Sequence, residues 1–292
     1  MTTILEATDN TLKMQRTFKA SIDRVWAAWT DQNQVFRWFG CPDSKGLGAS
    51  IDLQVGGVYS VTLFTHGKEM TMDGKILELD APNRIKLGWR WVGDAEMEQL
   101  PQTEILIEMS AVSEGTLVKL THTGFPNVDV CNEHQKGWSA SLERVEGFVS
   151  SAEAEIFAAV AEWDIAVGMK DSAGIVEDYV EEATLFDIGT QVDGVDGIKA
   201  LWEQCFPFFG DKITIQRRKV SVRIMGESAL LTCQSRCQGV LLPEGQEESD
   251  MMKSWFRTSA VFQRIDGRWK VVHEHISMPM DCMEKKPAYI LD

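Results

Sequence analysis

The sequence predicts an α+β protein of two tandem domains, residues 1–150 and 151–292, each a curved antiparallel sheet with helices laid against it. Three observations carry this prediction. The length of 292 residues is more than one small domain needs and suits two. Residues 11–150 read as a strand, two short helices, about six strands separated by turn signals, and one long amphipathic helix. Near Ser151 the pattern starts afresh, with no self-similarity to the first half, so two different domains are fused rather than one repeated.

The elements follow in order. "TLKMQRTFKA" is extended. In "SIDRVWAAWT", Ser21 is a helix cap, Asp23 favours the dipole of the first turn, and Ile22, Val25, Trp26 and Trp29 make one apolar face. "DQNQVFRWFG" is a second short helix stopped by Gly40, and "CPDSKGLGAS" is rich in turn formers and expected as a loop. Strands then run through "ASIDLQV", "VYSVTLFTH", "EMTMDGKILELD", "RIKLGWRW", "TEILIEMSAV" and "GTLVKLTHTG". In "RIKLGWRW", Ile85, Leu87, Trp89 and Trp91 share one face while Lys86 and Arg90 take the other. "NEHQKGWSASLERVEGFVSS" is a long helix with Trp138, Leu142, Val145 and Val149 on one side. A helix laid across such a sheet leaves room for a cavity between the two.

In the second half Ile156, Val160, Trp163 and Val167 repeat at helical spacing. Asp171-Ser172 caps the next helix, whose buried face holds Ile175, Val176, Tyr179 and Val180. A strand through "EEATLFD" follows. "VDGVDGIKALWEQCFPFF" is a third helix, ended by Pro207. Four strands, "KITIQRRKVSVRIMG", "SALLTCQSRCQGVLL", "MMKSWFRTSAVFQRI" and "GRWKVVHEHISM", make a meander whose last turn, "IDGR", is a hairpin. "PEGQEESD" is a charged, solvated loop.

Both halves resemble known families. "FKASIDRVWAAWTDQNQVFRWFG", "VGGVYSV", "ILELDAPNRIKLGW" and "HQKGWSASLERVEGF", within residues 10–150, resemble the START-like (SRPBCC) helix-grip superfamily, in the branch related to the activator of the 90-kDa heat-shock protein's ATPase. "KDSAGIVEDYVEEATLFDIG", "DGVDGIKALW" and "TSAVFQRIDGRWKVVHEHISMP", within residues 153–280, resemble the SnoaL-like branch of the nuclear-transport-factor-2-like fold. The resemblances imply a helix-grip domain followed by an α+β cone around a pocket. They imply no cofactor and no metal, and a homodimer formed through the C-terminal domain.

The formal net charge is −15, with 14 Lys+Arg against 20 Asp+Glu in residues 1–150 and 15 against 24 in the remainder. Both halves repel phosphate backbones and anionic membranes, so neither nucleic acid nor a membrane is an expected partner. "MTTILEATDNTLK" lacks the charged and apolar regions of a secretory signal, and the six cysteines are scattered. The expected setting is a soluble cytoplasmic protein with reduced thiols.

The candidate catalytic residues are Asp187, His273 and His275. Asp187 follows the largely apolar run Ala183–Phe186, where partial desolvation would raise its pKa and make it a usable base. The resemblance places it where ketosteroid isomerase has its proton-shuttling aspartate. It also puts Trp163 at that enzyme's oxyanion-hole tyrosine and Ser259 or Ala260 near its second acid, so proton abstraction or ligand contact is implied rather than steroid isomerisation. On an unbroken strand His273 and His275 point to one face and Glu274 to the other. The pair is expected at the rim of a pocket, as polar lining or orienting groups. Two imidazoles without a third ligand make no metal site.

The candidate ligand-binding residues of the second half are Trp163, Tyr179, Arg236 and Arg257. Arginines on this sheet face water or a dimer partner, or else meet an anionic ligand inside the cone. In the first half the surplus of large rings, among them Trp89, Trp91 and Trp138, reads as core and cavity wall, with His122 as a polar tip capping the cavity. The expected function is the binding of a small hydrophobic or aromatic molecule in enclosed pockets. The alternatives are a cofactor-independent cyclase or isomerase acting through Asp187, and a chaperone-associated regulator of a heat-shock ATPase.

Overall fold

The computed structural model describes residues 3–8, 10–243 and 245–292. Thr2, Asp9 and Glu244 lie outside the described residues, as does Met1, so the expected leader-free start and the "PEGQEESD" loop are only partly covered. The chain divides into two compact units, Met1–Ala154 and Glu155–Asp292. Among the described residues no helix is long and apolar enough to cross a membrane.

The first unit contains β1 (Thr3–Ala7), β2 (Thr11–Phe18), α1 (Ile22–Thr30), α2 (Val35–Trp38), β3 (Lys45–Ile51), β4 (Val58–Thr65), β5 (Lys68–Asp80), β6 (Arg84–Val92), β7 (Thr103–Val112), β8 (Gly115–Thr123) and α3 (Val128–Val149). The eight strands form one antiparallel sheet in the order β1-β2-β8-β7-β6-β5-β4-β3. Period-two patterning puts Met14 and Phe18, Val61 and Leu63, Met72 and Ile76, Ile105 and Ile107, and Val118 and Leu120 into the core. The long helix α3 carries its buried residues Cys131, Trp138, Leu142, Val145 and Val149 on one face, two turns apart from the first to the second and three or four residues apart thereafter. Asn127 caps it, accepting a hydrogen bond from the amide of Val130 at 3.0 Å.

Part of the loop expected at 41–50 is strand β3 instead. Its Gly46 serves close approach rather than a turn: a Cβ there would lie 1.7 Å from the carbonyl oxygen of Phe36. The edge strand thereby packs directly under α2.

The second unit contains most of α4 (Ala152–Gly168), then α5 (Ser172–Val176), β9 (Tyr179–Phe186), β10 (Gln191–Asp193), α6 (Val195–Cys205), β11 (Phe209–Met225), β12 (Ser228–Val240), α7 (Asp250–Lys253), β13 (Phe256–Ile265), β14 (Arg268–Ser277), and the short pair β15 (Met280–Asp281) and β16 (Lys286–Pro287). Its six-stranded sheet runs β10-β9-β14-β13-β12-β11. The expected meander β11–β14 is antiparallel, but it closes on β9 through a parallel pairing with β14. The "IDGR" hairpin has positive φ at Asp266 (51°) and Gly267 (81°), the left-handed pair that a two-residue turn between twisted strands requires.

One irregularity governs the chemistry of this unit. Phe262 pairs with Val271 but Val261 pairs with His273, so Val272 is an extra residue in β14. Such a bulge reverses the facing of every side chain beyond it.

Candidate functional site

Each unit has its own cavity. The first, of about 390 Å³, lies against α3, β4, β6 and the loop after α2. Phe39, Trp89, Trp91 and Trp138 supply its rings. Trp138 stands 5.1 Å from Trp89 and 6.2 Å from Phe39 between ring centres, and Trp89 meets Trp91 edge-on at 5.7 Å. A second row of rings lies behind them: Trp29 stacks on Trp138 at 5.9 Å, and Trp38 sits 4.6 Å from Trp29. Serine and arginine side chains of α3 fasten the loop that forms one rim. Ser141 Oγ donates to the carbonyl of Gly40 at 3.2 Å, and Arg144 donates to the carbonyl of Cys41 at 2.8 Å. The Lys68–Asp94 ion pair and the side chains of Glu96 and Glu133 make the mouth polar.

His122 is not the cap expected from the sequence. It is fully buried behind the ring wall. The Trp138 indole N–H donates to its Nδ1 at 3.1 Å, which leaves Nε2 as the protonated nitrogen, donating to Thr103 Oγ1 at 2.7 Å. The Thr103 hydroxyl donates in turn to the carbonyl of Trp89 at 3.4 Å. A neutral imidazole thus fixes the two tryptophans of the wall in place. Charging it would break the bond from Trp138, and burial, reinforced by the nearby His134, holds its pKa well below the usual histidine range. His134, unlike His122, lines the cavity, as does His66 at its rim. The His134 Nδ1 donates to the carbonyl of Val130 at 2.9 Å, and burial depresses its pKa despite that bond and the charge of Glu133. His134 stands four residues before Trp138 on α3, so helical spacing alone places it on the same face. Phe39, just before the helix-stopping Gly40, carried no comparable signal.

The two depressed histidines make stability depend on pH. The unfolded chain takes up these protons near pH 6.5, and the folded chain only lower. They therefore cost nothing above neutrality, and destabilisation begins as pH falls through about 6.5 and grows until the folded pKa values are reached. The expected slope is up to about 1.4 kcal/mol per pH unit for each histidine. Urea unfolding between pH 7.5 and 5 should show it. His122→Gln, which retains one acceptor and one donor without a titrating proton, should flatten the dependence; an unchanged slope would refute this account.

The second cavity, of about 240 Å³, lies between α4, α5 and the inner face of the second sheet. Val160, Ile175, Leu231, Phe262 and Val271 give it apolar walls, and Trp163 and Tyr179 line it as well. Its polar groups differ from the expected ones. Because of the bulge at Val272, Val271 and Glu274 both face the cavity, whereas His273 and His275 face the other side of the sheet. His273 Nδ1 there pairs with Thr184 Oγ1 at 2.6 Å and its ring meets Phe186 at 5.0 Å, while His275 is exposed. Asp187 shares its face with Ala183 and Leu185 but does not line the cavity. Its carboxylate accepts from the amide of Ile188 at 2.8 Å. The three candidate catalytic residues thus do not meet at one hollow.

Arg236 and Arg257 are likewise elsewhere. Arg236 packs over Trp255 and donates to Gln216 and Asp292, and Arg257 is exposed. The guanidinium in the cavity is Arg217, which stands two residues farther along the inward face of β11 than Ile215. It donates to both oxygens of Asp164, at 2.7 and 2.5 Å, and lies 5.5 Å from the Trp163 ring. Glu274 accepts a hydrogen bond from the Tyr179 hydroxyl at 2.8 Å. Burial raises the Glu274 pKa, the Tyr179 bond and Arg217 oppose that rise, and the charge of Asp187 adds to it. One trace of the bulge is visible in the sequence: Val271 and Val272 are both apolar, which breaks the alternation. Among the described residues no three His, Cys, Asp or Glu side chains are grouped to hold a metal ion.

Comparison with known proteins places each unit. Residues 19–150 match the family model described as activator of Hsp90 ATPase homolog 1-like protein, and residues 156–281 match that of the SnoaL-like domain. Solved structures similar to parts of the chain include an NTF2-like protein of unknown function from Pseudomonas putida KT2440, at 28% identity, covering 48% of this chain and 96% of that one with a TM-score of 0.42. The AHSA1 protein from Silicibacter pomeroyi is 17% identical, covering 47% and 95% with a TM-score of 0.42. CalU16 from Micromonospora echinospora is 24% identical, covering 55% and 98% with a TM-score of 0.39. No curated protein matches the chain.

Proposed function

We propose that this chain, in which a domain matching the Hsp90-ATPase-activator-like family is followed by a SnoaL-like one, binds small apolar, ring-bearing molecules, with the first unit as the principal site. The observation that carries the reading is the hollow of about 390 Å³ walled by Phe39, Trp89, Trp91 and Trp138. Cavities of roughly 300–1,000 Å³ with aromatic walls and few polar groups are the usual shape of small-molecule sites. The wall is held before any ligand arrives, because Trp138 and Trp89 are tied through His122 and Thr103. Rings already fixed lose little freedom on binding, which favours affinity. An isomerase acting through Asp187 with His273 or His275 has no such support, since these side chains do not face a common substrate space.

The test is titration with 2-naphthol, a neutral fused-ring probe, followed by quenching of tryptophan fluorescence. Trp91→Ala removes one wall of the first cavity at a half-buried position. It should weaken 2-naphthol at least tenfold while leaving the fold intact by circular dichroism. A Trp91→Ala protein that binds as tightly as the parent would overturn the reading.

A further inference from the structure

We propose that the second cavity is a site for an organic cation, a single-ring or similarly small amine whose ammonium group pairs with Glu274 while its apolar body lies against Trp163, Tyr179 and Phe262. The inference goes beyond the first-unit reading and is independent of it. Three features of the cavity support it.

Glu274 is bonded on one side only. Tyr179 donates to Oε2 at 2.8 Å, and no donor reaches Oε1 among the described residues. A carboxylate in an apolar hollow with a free oxygen is costly unless a donor or a cation completes it. Burial raises the Glu274 pKa, which is the same cost seen from the proton's side, and an ammonium ion beside it would relieve it.

The charged groups that line the cavity are mostly carboxylates. Glu162, Asp171, Glu177, Asp178 and Glu274 line it, and among the described residues the one lining cation is Arg217. That guanidinium is already bonded to both oxygens of Asp164, so it offers little to an incoming anion. Arg268, which is not part of the lining, pairs with Asp178 at 2.9 Å. A carboxylate ligand would meet repulsion here, and a cation would meet attraction.

The walls favour a cation as well. Trp163, Tyr179 and Phe262 line the same cavity as Glu274. Aromatic faces attract ammonium groups, most strongly where water is excluded. A cavity of about 240 Å³ limits the occupant to a small molecule.

The experiment compares three probes that share one ring: 2-phenylethylamine, 2-phenylethanol and 3-phenylpropanoate. Each is titrated calorimetrically into the full chain at pH 7.5. The amine should bind at least tenfold more tightly than the alcohol, and the carboxylate should bind more weakly than either. Glu274→Gln should bring the amine down to the alcohol's affinity for the same variant. Trp91→Ala, in the first unit, should leave the amine's advantage over the alcohol unchanged, so the outcome is separate from that of the 2-naphthol test. The proposal fails if the alcohol or the carboxylate matches the amine, if no probe binds, or if Glu274→Gln binds the amine as the parent does. The comparison among probes on the parent protein keeps the test decisive even where the variant is unstable.

Discussion

Trp138→Ala is expected to destabilise the first unit by about 5 kcal/mol, the sum of a large-to-small core truncation and a buried acceptor left without its donor. Trp138 is almost wholly buried and touches Trp29, Phe39 and Trp89. Its loss opens a void between the two rows of rings. It also removes the donor to His122 Nδ1, in a place that water reaches poorly. The relay through Thr103 to the Trp89 carbonyl then has no anchor, so the cavity should lose its shape along with its stability. Urea unfolding followed by circular dichroism measures the first effect and 2-naphthol titration the second. A loss below about 2 kcal/mol would mean that the wall collapses onto the gap and that Trp138 is not its keystone.

Gly74→Ala should cost about 3 kcal/mol and weaken ligand binding, although residue 74 touches no ligand space. A Cβ at Gly74 would lie 1.8 Å from the carbonyl oxygen of Gly88 on the neighbouring strand β6. Backbone cannot swing aside as a side chain can, so the two strands must part. Gly88 directly precedes Trp89, and Trp91 follows two residues later, so the displacement is delivered to the cavity wall. The close passage of β5 and β6 allows the sheet to curve around the hollow. A Gly74→Ala protein with parental stability and parental 2-naphthol affinity would show that this curvature is not needed.

Both predictions concern parts that were unequally legible in the sequence. The tryptophans were visible as a surplus of rings at core-facing positions, because strand and helix periods are local properties. Trp89 and Trp138 could be assigned to the wall on that ground. On its strand face alone His122 reads as a polar cap of the cavity, and the fold overturns that reading. Whether a histidine at the end of such a face tips into a cavity or supports it from behind depends on partners at positions 103 and 138, which only folding brings to it.

The second unit marks the boundary more sharply. From the sequence alone come its succession of helices and strands, the hairpin at Asp266-Gly267, the SnoaL-like resemblance, and the fact that Glu274 opposes His273 and His275 across β14. All of these follow from backbone preference and a period of two. Which of the two faces looks inward was decided by the tertiary structure. One extra residue, Val272, changes the register against β13, and register is a relation between strands that one strand's pattern does not contain. That shift turns the histidines outward and brings a carboxylate, bonded to Tyr179, into the cavity.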